Sequence, residues 1–278
     1  MGSVSEIVAA ELSRWGVSDV ERAVFGSDDP VAIDQIIARF CVSYLGERPT
    51  GGLFYRSSAG CVAGVVLASE RRVVLKAYQD RWTHPFLDAV RVVQEHLGAL
   101  GYPCARPLGG PAPLQADRPN LVMVESWLPD PGMTAYRSPQ SRRASAAGLA
   151  RQIGLCRDMR GLRGLDQHPL RRPAIGLYPE PHSPLFDFEL EAESARWIDD
   201  FAERAAEIRD KEQEGTTVVA HTDWSARNVR LHGSDVVAVY DWDSVARVRE
   251  STALGQAAVT WSVTSEPGGS RFPSAAGV

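Results

Sequence analysis

Between Val218 and Val245 the chain reads VVAHTDWSARNVRLHGSDVVAVYDWDSV, a stretch that collects His221, Asp223, Asn228 and Asp241. Asn228 follows Asp223 by five residues, and Asp241 follows Asn228 by thirteen. Apolar runs at Val229–Leu231 and Val236–Tyr240 flank Gly233, Ser234 and Asp235, which is the pattern of a β-hairpin closed by a short glycine-containing turn. Folding the hairpin about Ser234 sets Asn228 opposite Tyr240, one residue from Asp241. A side-chain amide beside a carboxylate, with a second carboxylate close by, is a hard-oxygen site of the kind Mg²⁺ uses together with phosphates. Single Asp and Asn residues are also ordinary turn formers. Four such positions around one hairpin argue for chemistry instead.

The run His221-x-Asp223-x-x-x-x-Asn228, a short hairpin, then an apolar strand ending in Asp241 resembles the active-site core of the aminoglycoside phosphotransferase family. These are small-molecule kinases that share the protein-kinase fold. The resemblance implies an α+β, bilobal architecture with a small antiparallel-sheet N-lobe and a mostly helical C-lobe. It implies Asp223 as the base or orienting group for an acceptor hydroxyl, and Asn228 and Asp241 as ligands of Mg²⁺. His221 would hold the loop by packing and hydrogen bonding, and Asp243 is a supporting carboxylate. ATP or GTP is the implied co-substrate. Phosphoryl transfer suits such a set, because it needs alignment and charge neutralisation more than covalent catalysis.

Composition narrows the remaining classes. The 278 residues suit two subdomains or one large domain. A net charge of −5 gives no general attraction to nucleic acid or to an anionic membrane. No apolar run approaches membrane-spanning length. The four cysteines, Cys41, Cys61, Cys104 and Cys156, lie far apart in apolar or helical contexts and match no metal spacing, as expected of buried thiols in a cytoplasmic protein. Of 30 basic residues only Lys76 and Lys211 are lysine, so a lysine inside an apolar run stands out.

The elements that must carry these residues read in order. Residues 3–15 and 30–45 are expected as helices, the second with Asp29 as cap, Pro30 at its first position and Gly46 after its end. Leu53–Arg56, Val62–Ser69 and Arg72–Tyr78 form an antiparallel meander. A helix at 85–100, a strand at Leu121–Trp127 and the proline-rich connector Leu128–Gly132 follow. Helices are expected at 139–161, 190–213 and 249–264, with irregular sequence over Gly161–Pro184 and a disordered tail from about 266. The division falls at 127/128: a nucleotide-binding lobe over 1–127, and a helical lobe with the catalytic loop and metal-binding hairpin over 128–278.

By resemblance, Lys76 on the third meander strand contacts the α- and β-phosphates as a fixed point charge. Asp88 and Glu95 are both candidates to orient it, and Glu95 has the longer reach. The turn Arg56–Gly60 lies where phosphates are covered, and the backbone around Glu125–Trp127 (Glu125 and Trp127 as its named residues) lies where adenine binds. The acceptor, a small-molecule hydroxyl compound, is less defined. Residues 187–214 hold eleven acidic against four basic residues, a wall for a polycationic sugar or simply a solvated helix face whose Trp197, Ile198, Phe201, Ala205 and Ile208 pack inward. Tyr178–Phe188 is a second candidate lining. Two other functions fit less well. A catalytically weak, kinase-like nucleotide-binding protein is the alternative, and a metal-dependent phosphohydrolase would leave Lys76 without a purpose.

Overall fold

A computed structural model of the chain describes residues 2–130, 138–171, 177–178, 181, 193–194, 196–211 and 215–263. Residues 131–137, ten of the 24 residues of Gly161–Pro184, most of Tyr178–Phe188 and the tail beyond 263 lie outside the described residues. The chain divides into two compact units. The first contains residues 1–92, 106–127 and 163–214, and the second 93–105, 128–162 and 215–278.

The first unit is built on a sheet of β1 (Pro49–Ser57), β2 (Gly60–Leu67), β3 (Arg72–Tyr78), β4 (Ala112–Pro113) and β5 (Leu121–Ser126), in the spatial order β1-β2-β3-β5-β4. All neighbours run antiparallel. Strand alternation sends Tyr55, Ala63, Leu75 and Val124 to one face, where they pack with Val8 of α1 (Val4–Trp15) and Ile33, Ile37 and Phe40 of α3 (Pro30–Leu45). Asp29 caps α3 by accepting from the amides of Val31 and Ala32, and Gly46 ends it at φ +73°, a left-handed conformation that suits glycine. Between them lies α2 (Asp19–Phe25), too short to register as a helical period in the sequence. The first unit also holds most of α4 (His84–Ala99), which is divided between the units after Val92.

The long acidic helix, α6 (Arg196–Lys211), departs from expectation. Trp197 and Phe201 are 67% and 68% exposed, and Ile208 is exposed as well. The side of α6 that turns inward carries Asp199, Ala202 and Ala206 instead, and Asp199 accepts a 2.6 Å hydrogen bond from the Tyr178 hydroxyl. The apolar stripe therefore did not mark the packed face.

The second unit holds two small antiparallel ribbons. One pairs β6 (Thr217–His221) with β9 (Val245–Arg249), and the other pairs β7 (Val229–His232) with β8 (Asp235–Val239). The helices α5 (Pro139–Leu155) and α7 (Glu250–Val263) contribute Ile153 and Ala253 to a small core with Val218, Ala220 and Val248. Ser138 caps α5 and Pro139 opens it. Gly148 lets α5 approach closely, since a Cβ there would collide with Val236 and press on the Trp224 ring. Gly148→Leu is expected to lower stability by about 1–3 kcal/mol through overpacking, despite leucine's better helix propensity. Thermal unfolding of the variant checks this.

All four cysteines are free and buried. Burial pushes the Cys41 thiol up to about 12 and the Cys156 thiol up to about 11. The folded protein should therefore resist a thiol reagent near pH ~8, where thiolate is the reactive form, and yield four reactive thiols only when denatured. Native-state labelling followed by mass measurement tests it.

Candidate active site

The catalytic segment joins the two ribbons. Strand β6 ends at His221, residues 222–228 form the loop, and the β7–β8 hairpin returns to Tyr240. A two-residue turn at Gly233–Ser234, with Gly233 at φ +62°, closes the hairpin. That turn alone would pair Asn228 with Val239. A bulge between Arg230 and Leu231 shifts the register by one residue, so Val229 faces Val239 and the Tyr240 amide donates to the Asn228 carbonyl at 2.8 Å. The bulge thus sets Asn228 opposite Tyr240 and next to Asp241.

Asn228 Nδ2 donates to Asp223 Oδ2 at 2.7 Å and to the Asp223 carbonyl at 3.0 Å. Both hydrogens of the amide are engaged, and its Oδ1 keeps two lone pairs for another partner. Asp241 adopts φ +62°, ψ +50°, one of two non-glycine residues with positive φ among the described residues. Its flanking carbonyls are held from both sides. His221 Nε2 donates to the Tyr240 carbonyl at 2.8 Å, and the Ser244 hydroxyl reaches the Asp241 carbonyl at 2.7 Å. Since a carbonyl only accepts, Nε2 carries a ring hydrogen, and Ser244 Oγ lies 3.2 Å from Nδ1. Thr222 Oγ1 donates to the Ser244 carbonyl at 2.6 Å and ties the loop to the turn Trp242–Ser244, which also carries half-buried Asp243.

His221 is fully buried, with Trp224 and Trp242 set edge-on at 5.8 and 5.4 Å. It holds the Tyr240 carbonyl, on the backbone next to Asp241. The Trp224 indole donates to the Ser145 carbonyl and Oγ, and its own carbonyl accepts from Thr260. Truncating a tryptophan packed like this costs roughly 3–5 kcal/mol.

A further group went unread in the sequence. Arg230 donates through Nε and Nη2 to both oxygens of Asp130, at 2.8 and 3.0 Å, and through Nη1 to the carbonyls of Ala226 and Arg227. Its guanidinium lies over Tyr240, whose hydroxyl donates to the Pro129 carbonyl. Burial pushes that hydroxyl up to about 12. Asp130 and Arg230 lie a hundred positions apart, so no local spacing signals them.

In the first unit, Lys76 and Glu125 share the sheet face opposite the core. Lys76 faces Met123 and Val74 faces Glu125, which makes Lys76 and Glu125 diagonal neighbours, both buried. Trp127 follows β5, its ring 6.0 Å from Phe54. The Ser126 and Trp127 amides already donate to the carbonyls of Arg106 and Arg72, so those two groups are not open to a base. The Arg56–Gly60 turn is braced by Gln79, which donates to the Ala59 carbonyl at 2.8 Å. Of the two helix carboxylates, Asp88 accepts from Arg91 Nε at 2.8 Å, and Glu95 is exposed on the part of α4 that belongs to the second unit.

The residues of the second unit suit a divalent cation by donor chemistry. Asn228 Oδ1 and the Asp241 carboxylate are hard oxygens, and both residues are half-buried. Among the described residues no three His, Cys, Asp or Glu side chains gather as a metal cluster. Mg²⁺ is commonly bound through one or two carboxylates with substrate phosphates completing its shell, so two donors suffice.

Comparison with known proteins places this geometry. No curated protein sequence matches the chain. A solved amicoumacin kinase, in complex with AMP-PNP and Ca²⁺, aligns with a TM-score of 0.51 at 12% identity. The match covers 75% of this chain and 63% of that kinase, so the chain spans less than two thirds of its length. A spectinomycin phosphotransferase in complex with ADP aligns with TM-score 0.48 at 11% identity, covering 77% and 69%. A macrolide 2′-phosphotransferase from Brachybacterium faecium gives 0.45 at 14%, covering 81% and 77%. The first of these shows a kinase-like fold, in agreement with the α+β architecture expected from the sequence. No helix among the described residues is long and apolar enough to cross a membrane. The family model described as the phosphotransferase enzyme family matches residues 65–246, well over half of the chain, and the chain belongs to that family.

Proposed function

We propose that the chain transfers the γ-phosphate of ATP or GTP to a hydroxyl of a small molecule, with an amino sugar or aminoglycoside as the acceptor class. The observation that carries this reading is the Asp223–Asn228–Asp241 arrangement. One carboxylate is oriented by the same amide that keeps an oxygen for metal, and a second carboxylate is held on a clamped left-handed residue.

In this reading Asp223 accepts the hydrogen of the acceptor hydroxyl as its oxygen bonds to the γ-phosphorus, while the bond from that phosphorus to the β-phosphate oxygen breaks and ADP or GDP leaves. Asn228 fixes the orientation of Asp223, so Asp223 Oδ1 is the oxygen free to face the acceptor. Asn228 and Asp241 would hold Mg²⁺, which when bound would neutralise charge on the nucleotide phosphates. His221 and Ser244 keep Asp241 in place, and Asp243 supports the same turn. Lys76 binds the α- and β-phosphates as a fixed point charge. Residues around Glu125 and Trp127 receive the base. Nucleotide binding is assigned to residues 1–127, and metal binding and catalysis to 128–278. A nucleotide co-substrate and four free thiols suit a cytoplasmic setting.

The test is transfer of labelled phosphate from ATP and from GTP, with Mg²⁺, to a panel of aminoglycosides, amino sugars and amino alcohols. Label appearing in an acceptor supports the reading. Nucleotide binding with no transfer to any hydroxyl compound favours a nucleotide-binding protein without kinase activity.

A further inference from the structure

Among the described residues, strand β6 has a neighbour on one side only, β9, because its sheet has two strands. Its other edge therefore presents backbone groups with no strand to receive them. At that edge Val219 is 1% exposed, and Ala220 and His221 are fully buried, so water does not satisfy them. The side chain of Gln152, on α5 and itself fully buried, takes the missing place. Its Nε2 donates to the Val219 carbonyl at 3.2 Å, and its Oε1 accepts from the His221 amide at 3.1 Å. A carbonyl on one residue and an amide two residues later, bridged by one donor and one acceptor, is how a parallel strand's peptide unit pairs with its neighbour. One glutamine amide thus acts as a one-residue strand around Ala220. Its second hydrogen points to Cys156 Sγ at 3.3 Å.

The same stripe of α5 meets the catalytic loop at two further points. Ser145 receives the Trp224 indole, and Gly148 lies under Trp224 and Val236. Ser145, Gly148 and Gln152 recur at helical spacing and are all buried, where a packing helix would ordinarily carry leucine. What they share is contact with β6 or with the loop that follows it and bears Asp223.

We propose that Gln152 is a positioning residue for phosphate transfer: it fixes the height of His221, and through it both the start of the catalytic loop and the Tyr240–Asp241 backbone that His221 holds. The inference rests on the kinase reading above. Leucine fills the space but leaves the Val219 carbonyl and the His221 amide unpaired. Glutamate accepts from His221 but sets a carboxylate against the Val219 carbonyl. Its protonated form restores both bonds, and burial favours that form.

The test compares wild type, Gln152→Leu and Gln152→Glu in Mg²⁺-dependent transfer, together with amide hydrogen exchange across Val219–Asn228. Misplacement by a fraction of an ångström is expected to lower kcat of Gln152→Leu by roughly 10- to 100-fold, with KM for MgATP changed by less than about 3-fold. Exchange should rise at His221 and in the loop, with α7 unaffected. The kcat of Gln152→Glu relative to wild type should recover as pH falls from about 8 to about 6. An unchanged kcat in Gln152→Leu overturns the proposal, as does a loss confined to KM or a kcat of Gln152→Glu that stays as low as that of Gln152→Leu at every pH. Absence of transfer by the wild type overturns instead the kinase reading on which it rests, and the exchange data separate the two: protection lost at His221 keeps the bracing of β6, and protection retained removes it.

Discussion

Alanine at Asp223 is expected to lower phosphate transfer by about 10²- to 10⁴-fold, the range a positioned base supplies, while MgATP still binds. Asp223 receives a 2.7 Å hydrogen bond from Asn228, and its other oxygen is the candidate acceptor for the substrate proton. Removing the carboxylate takes away both the proposed base and the hydrogen-bond partner of Asn228. Because Asp223 is only partly buried, the fold should tolerate the change. Single-turnover transfer by Asp223→Ala, set beside its nucleotide affinity, is the measurement. Transfer within a few-fold of wild type removes Asp223 from its assigned role.

Glycine at Asp241 should separate activity from stability in a way few substitutions do. Asp241 holds φ +62°, a conformation that is strained for most side chains and open to glycine. Asp241→Gly removes the proposed metal ligand while relieving backbone strain, so thermal stability should stay level or rise by up to about 1 kcal/mol. Transfer, in contrast, should fall by at least about 10²-fold, since the ion loses its charged protein donor. An inactive and unfolded variant contradicts the strain argument, and an active one contradicts the metal assignment. The ordinary alternative, Asp241→Asn, keeps the side-chain shape and should remain closer to wild type in stability, which makes it the control for the glycine effect.

The site was legible where its chemistry is local in sequence. Asp223 and Asn228 lie on the loop that starts where His221 ends β6, and folding the sequence about its glycine-containing turn brings Asn228 close to Tyr240. The detail of how it does so was not legible. The turn is shorter than the apolar runs suggest, and a bulge at Arg230–Leu231 makes up the difference. The meander and the capped helix α3 were also readable, because alternation and capping are short-range signals. Strands β6 and β9 were not recognised as a pair, since their partnership spans the whole catalytic loop. Gln152 and the Asp130–Arg230 pair escaped for the same reason: a single polar residue on a helix carries no sign of the distant backbone it completes. On α6 the periodic apolar stripe pointed the wrong way. Periodicity reports which residues could pack together, but the side that turns inward here is lined with alanine.

The most direct measurement of the central claim is calorimetric titration of a non-hydrolysable ATP analogue into wild type and Asp241→Gly, with Mg²⁺ and with a chelator in its place. A site formed by Asn228 and Asp241 predicts binding at least about tenfold tighter with Mg²⁺ in the wild type, roughly 1.4 kcal/mol, and no such difference in the variant. Equal affinity with and without the ion in the wild type, or a metal effect that survives in Asp241→Gly, would contradict it.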